Sequence, residues 1–135
     1  MKNEVLTDGI KFLVDQNIIY CYINSNFNEH KIGVELEETF SHAILKLSDG
    51  KYIPLLINMT ELNFLVSLKM FRYLSKNKLI KTLVLSKTFL VQTSLLKFLL
   101  CIYCLTIESI VSIRVFNFYT SAIRDCKKKY MEFNM

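Results

Sequence analysis

The stretch LLINMTELNFLVSLKMF, Leu55 to Phe71, decides how this chain folds. Together with Tyr52, Ile53 and Pro54 ahead of it, its first part is a short, continuous apolar run, the pattern of a strand buried on both faces. Such a strand belongs to a parallel sheet whose faces carry helices. Pro54 cannot donate to a ladder, so it is expected near the start of the strand. Beyond it the period changes. Leu65, Leu68, Phe71, Arg72 and Ser75 recur at helical spacing, with Lys69, Lys76 and Lys78 on a basic outer face.

Toward the N-terminus, Lys11–Val14 and Ile18–Ile23 are β-rich runs separated by Asp15, Gln16 and Asn17, which have turn chemistry, and together they predict an antiparallel hairpin. From about Gly33, Leu36, Phe40, Ala43, Ile44 and Leu47 mark a helix. Glu35, Glu37 and Glu38 stand at its start, where the dipole favours acids, and Asp49-Gly50 supplies the stop. Toward the C-terminus, Ile80 to Leu85 predicts a second buried strand, Thr88 to Tyr103 an apolar helix, and Ile110 to Phe116 a last strand. A final helix, capped by Thr120 or Ser121, is expected to bury Ile123, Cys126, Tyr130 and Phe133 and to expose Arg124, Lys127, Lys128 and Lys129. The predicted order is ββαβαβαβα. This is an α/β fold with a mostly parallel sheet of about five strands, an N-terminal antiparallel hairpin and four helices, in a single domain over residues 1–135.

Composition agrees with one core. Of 135 residues 52% are apolar, with one proline and three glycines, and no stretch reads as a linker or a repeat. The most apolar segment, Leu83 to Ile107, is interrupted by Lys87, Gln92 and Lys97, so no membrane span is expected. The opening MKNEVLTDGIKFLV lacks the basic flank and apolar core of a signal peptide, which predicts a cytoplasmic protein. The net charge of +5 conceals a division: residues 1–67 hold five Lys/Arg against nine Asp/Glu, and residues 68–135 hold twelve against three. In a compact domain this division can yield an acidic and a basic side. Cys21, Cys101, Cys104 and Cys126 sit in apolar surroundings and are expected as core thiols.

The element order resembles the SpoIIAA-like, or STAS, domain of bacterial anti-sigma-factor antagonists over nearly the whole chain. The resemblance is sharpest in Leu55–Phe71 and in VSIRVFNFYTSAIRDCKKK, which is similar to the final strand and helix of small SpoIIAA-like proteins. In that family the counterpart of the first stretch is a buried strand ending in Asp, a Ser or Thr two residues later, an apolar residue, and a helix opened by Asp-Ser-Ser-Gly. Aligned through Thr60, Leu62 and Phe64, that motif falls on Val66, Ser67, Leu68 and Lys69. The family's phosphorylated serine therefore falls on Leu68. Ser67 remains, without the acidic neighbour or the glycine. The Gly-Glu-Leu-Asp that follows the family's second strand is replaced by Ile23, Asn24, Ser25 and Asn26. The resemblance implies the fold and a regulatory docking role, without the usual kinase-controlled switch.

Catalytic motifs are not in evidence. Cys101-x-x-Cys104 falls late in an apolar helix, where the dipole and burial both disfavour a thiolate, and no second cysteine pair or histidine spacing suggests zinc. His30 and His42 are expected to face solvent. Gly9, Gly33 and Gly50 are isolated and form no phosphate-binding loop. In open α/β sheets ligands collect outside the carboxyl ends of the strands. Those ends are expected to deliver Asn58, Thr60 and Glu61, then Ser86, Lys87 and Thr88, then Asn117 and Tyr119, a polar rim to which Ser67 is added as a candidate partner contact. The reading is a non-enzymatic regulatory or protein-interaction module without cofactor or metal, self-associating or binding a protein through the sheet edge and the second helix. The alternative is a binder of a small apolar or lipid-like ligand. Nucleic-acid binding through the basic second half stands behind both, because its lysines lie on helix faces without interleaved aromatics.

Overall fold

The computed structural model describes residues 4–106 and 112–135. Its elements run β1 (Glu4–Thr7), β2 (Ile10–Asp15), β3 (Ile18–Ile23), α1 (Val34–Ser48), β4 (Leu55–Asn58), α2 (Phe64–Lys76), α3 (Lys78–Leu83), β5 (Ser86–Leu90), α4 (Ser94–Cys104), β6 (Ser112–Phe116) and α5 (Tyr119–Phe133). The strands form one six-stranded sheet in which spatial order follows chain order. β1, β2 and β3 pair antiparallel; β3, β4, β5 and β6 pair parallel. Crossovers of one hand that always step in the same direction return each time over the same face of the sheet. The packing follows this rule. Residues of α1, α2, α3 and α4 share a core with Phe12, Ile19, Cys21, Leu55, Ile57, Phe89 and Val115, whereas α5 alone covers the other face, where Ala122 and Cys126 meet Ile18, Tyr20, Leu56 and Leu90.

Local chemistry explains the turns. Gln16 and Asn17 both adopt positive φ, 49° and 65°, as a two-residue hairpin turn that matches strand twist requires. Asp49 closes α1 in the left-handed conformation and Gly50 follows at φ 78°. Pro54 lies immediately before β4, where its carbonyl accepts from the Ile19 amide at 2.9 Å. Asn63, Asn77 and Thr93 cap α2, α3 and α4 by accepting from the amides of Val66, Ile80 and Leu96.

Several expectations need correction. β1 is an additional strand, only four residues long, and recognisable only through its pairing with β2. Ile80 to Leu85 is not a strand: residues 78–83 form α3, opened by Asn77, and the strand lies further on at Ser86–Leu90. The helix after it begins at Ser94 instead of Thr88. Phe118 rather than Thr120 or Ser121 occupies the cap of α5, without a side-chain bond. On that helix Phe133 is more than half exposed, touching Tyr52 at a centroid distance of 5.5 Å. Ile110 and Val111 lie outside the described residues. No described helix is long and apolar enough to cross a membrane.

Gly9 and Gly50 share a positive φ of 78° but not a setting. A Cβ at Gly9 would meet the Phe27 backbone Cα at 2.7 Å, whereas one at Gly50 meets nothing within 4 Å. Gly50→Ala should therefore cost only the left-handed conformation, about 1 kcal/mol. Gly9→Ala should cost at least about twice that, because backbone must also move. Urea unfolding of the two variants checks the order, and equal losses would mean that the Phe27 loop gives way freely.

Candidate functional site

The carboxyl ends of β3, β4, β5 and β6 do converge on one edge of the molecule, but with a different set of side chains from the expected rim. Asn58 Oδ1 accepts from the Thr60 hydroxyl at 2.7 Å and the Thr60 amide at 3.0 Å, so both side chains are engaged in shaping the turn after β4. Glu61 is exposed. Ser86, Lys87 and Thr88 lie within β5, not beyond it, and are buried. The chain that does leave β5 is Val91, Gln92, Thr93 and Ser94, and Asn117 after β6 donates to Ser94 Oγ at 3.1 Å. Ser67 is fully buried on α2 and its hydroxyl has no partner, so it is not on the surface as a contact residue.

Lys87 is the unexpected element of this group. Its ammonium, fully inaccessible to solvent, donates to the carbonyls of Leu74 at 2.8 Å, Asn77 at 3.2 Å and Ser75 at 3.4 Å. These are the carbonyls a helix leaves without partners at its C-terminus, and the negative end of the dipole lies there too. Lys87 thus caps α2 from beneath, out of the sheet. Asn77 extends the connection: its side-chain NH₂ donates to Glu37 Oε2 at 2.6 Å while its Oδ1 starts α3. Burial, with Lys81 adding to it, pushes the Lys87 ammonium down to about 8. On the opposite face of β5, Thr88 stands beside Cys126, whose thiol burial pushes up to about 12, with the Thr88 hydroxyl acting the other way. Tyr20 and Tyr22 are also pushed up to about 12, chiefly by burial. These shifts arise chiefly from burial on both sides of the sheet, and on the α5 side Tyr119 adds to those of Tyr20 and Tyr22, to the latter through a side-chain hydrogen bond.

Concave surface lies instead around the first turn of α2. A cleft of about 430 Å³ is lined by residues including Phe27, His30, Glu61 and Asn63. A second, of about 310 Å³, runs along Phe64, Leu65 and Lys69. The two share Glu29, Asn63 and Val66, and the Lys69–Glu29 ion pair at 3.0 Å stands between them. In the second cleft Phe64 is 43% exposed and Leu65 66%. His30 and His42 face solvent as expected. Cys21 and Cys126 are core thiols; Cys101 is exposed and Cys104 half-buried, which corrects the expectation for that pair. Among the described residues no His, Cys, Asp and Glu side chains group as metal ligands.

A separate apolar surface lies on α4, where Leu96 and Leu100 face the core while Leu95, Phe98, Leu99 and Ile102 are exposed. Nothing in the sequence pattern distinguished this helix from a fully buried one, since nearly every position is apolar. No protein-family model, curated protein or solved structure is significantly similar to the chain.

The Lys87 cap carries a pH signature. Its folded-state value lies below the usual 10.5, so between about pH 8 and 10.5 the unfolded chain keeps a proton that the folded chain has released. Stability contributed through this group therefore rises with pH across that window. Cys21 and Cys126 act in the opposite sense: from about pH 9 the unfolded thiols lose protons that the buried ones keep. Lys87→Met leaves the thiols in place. The parent's stability minus that of the variant should thus increase by about 3 kcal/mol from pH 8 to 10.5 in urea unfolding. A flat difference would show that Lys87 titrates as an ordinary lysine.

Proposed function

We propose that this chain is a non-enzymatic interaction module of the SpoIIAA-like kind, which docks a partner protein through the first turn of α2. The observation that carries this reading is the pair of exposed apolar side chains, Phe64 and Leu65, lining one of two adjoining clefts at the carboxyl edge of the parallel strands. Large apolar groups beside concave, mixed surface are what a protein interface uses as anchors. Their rim holds His30, Glu61 and the Glu29–Lys69 pair, groups suited to orientation and specificity more than to affinity.

Two further features support the reading. The chain order of hairpin, then strands alternating with helices, accords with the SpoIIAA-like resemblance, and Val66–Lys69, onto which that family's phosphorylation motif maps, follows Phe64 and Leu65 directly. Regulation by phosphate has no acceptor there, because Leu68 has no hydroxyl and Ser67 is fully buried. Docking that is constitutive, or governed by the partner's own state, fits this turn better. A non-enzymatic role is supported by the character of the shifted groups: Tyr20, Tyr22, Cys21, Cys126 and Lys87 are each shifted chiefly by burial, with Tyr119 adding to both tyrosines.

A photo-crosslinking phenylalanine analogue at position 64 tests this in the native cell. A discrete protein adduct should form from position 64 and diminish at least roughly tenfold when Leu65→Glu is added. The same analogue at Leu45, 62% exposed on α1, should give none. Equal adducts from both positions, or none from position 64, would sink the proposal.

A further inference from the structure

The face of α4 turned away from the sheet presents a surface that the fold itself does not use. Leu95 is 63% exposed, Phe98 62%, Leu99 39%, Ile102 48% and Leu105, just past the helix, 86%. At the helix start the Asn117–Ser94 bond brings the next loop alongside, and there Phe118 is 66% exposed. Six large apolar side chains in continuity exceed the scattered singles of an ordinary surface and mark a place of contact.

What surrounds them identifies the occupant. On the α2 side, Arg72 and Lys76 lie over the Tyr103 ring at 5.9 and 5.3 Å. On the β6 side, Lys97 and Arg114 lie over the Phe116 ring at 6.0 and 5.9 Å. The α2 flank of the apolar face thus carries two cations and the β6 flank carries Lys97, whereas Arg114 alternates with Ile113 and Val115 onto the α5 face of the edge strand. Among the described residues from Leu62 to Thr106 there is no Asp or Glu, and Glu108 lies outside the described residues. A second copy of the chain packed about a two-fold axis on this face would bring cationic flanks against cationic flanks, so like charge opposes self-association. The shape also selects. The exposed side chains stand along the outer side of the helix as a ridge, and the groove of about 280 Å³ beside it on the β6 flank is lined by Lys97, Cys101, Cys104 and β6 and by none of Leu95, Phe98, Leu99 or Ile102, so the apolar ridge itself meets a broad deformable surface. A helix with an apolar outer face and cations beside it is the arrangement that lies in the headgroup region of a bilayer, with Leu, Phe and Ile entering the acyl boundary and Lys and Arg meeting anionic lipid.

We infer that α4 docks the protein peripherally on an anionic membrane surface, with Leu95, Phe98, Ile102 and Leu105 inserted and Arg72, Lys76 and Lys97 on the headgroups. This site is separate from the α2 turn, and either can fail without the other. The bound protein lies on the bilayer without spanning it, leaving the α2 turn accessible to a protein partner.

The chain contains no tryptophan, so Phe98→Trp supplies a single reporter. Mixed with vesicles of phosphatidylcholine and phosphatidylserine, this variant should show a blue shift, and bromine-labelled acyl chains should quench it. Vesicles of phosphatidylcholine alone, or high salt, should leave it unchanged. Co-sedimentation of the unaltered chain should follow the same pattern, and Lys76→Ala with Lys97→Ala should weaken it at least roughly tenfold, as loss of two cations near the surface requires. Phe98→Ser with Ile102→Ser should abolish it while thermal melting stays within a few degrees of the parent. The inference is overturned if the folded protein ignores anionic vesicles, if binding persists with both serines in place, or if the face proves covered by a second copy in sedimentation equilibrium or by a protein crosslinked at position 98.

Discussion

A lysine ammonium stands inside the helical layer of this protein, and the arrangement around it depends on that charge being satisfied. Lys87 comes from a strand buried on both faces, a position where an unpaired cation would cost several kcal/mol. It is tolerated because α2 ends directly above it and offers the carbonyls of Leu74, Ser75 and Asn77. The requirement is mutual. Those carbonyls would otherwise end a helix in the interior without donors, which is as unfavourable as the bare ammonium. Sheet and helix are therefore locked at one point, and Asn77 passes the constraint on to Glu37 of α1 and to the start of α3. Three helices and the sheet share this polar junction within a largely apolar core.

That junction sits at the end of α2 remote from its first turn. With the C-terminus of α2 fixed by Lys87 and its body by Met70, Phe71 and Leu74, the N-terminal turn projects at the carboxyl edge of the sheet with Phe64 and Leu65 free of the core. The same one-directional winding leaves the outer side of α4 exposed. Each crossover places its helix beside the last, and α4 arrives over β5 and β6, where the sheet described here ends. The two surfaces assigned to contacts are thus consequences of topology: one is the rim where parallel strands deliver their loops, the other the outer boundary of the helical layer.

Much of the fold was legible from short-range pattern. The hairpin at Gln16 and Asn17, the first helix with its stop at Asp49 and Gly50, the strand after Pro54 and the helix from Phe64 each carry local signals of turn chemistry, period or capping. The failures lie between Ile80 and Leu90. Leu79, Ile80, Leu83 and Val84 satisfy both a short buried strand and a single helical turn or two, and six residues are too few for period to decide. Asn77 was the available signal for the helix, as a cap three residues ahead of Ile80. In the segment that follows, Lys87 breaks the apolar run, so Ser86, Lys87 and Thr88 read as a polar rim at a strand end and Thr88–Leu90 as the start of the next helix. The exposed face of α4 was illegible for a different reason, because a helix apolar on every side gives no indication of which side the core takes.

By itself the sequence determined which segments could pair and pack, because turn propensity, capping and apolar period act within a few residues and need no partner. It also determined the absence of acids between Leu62 and Ile107, and so the sign of the field around α4. Only the tertiary structure decided that Lys87 is interior, that Ser67, Ser86 and Thr88 are withdrawn from the surface, and that Phe64, Leu65 and the outer side of α4 are offered to solvent. Burial of a charge is settled by whether another element's carbonyls arrive within hydrogen-bonding distance. Exposure of an apolar face is settled by whether any element remains to cover it. Both are properties of the assembled chain that no stretch of it contains alone.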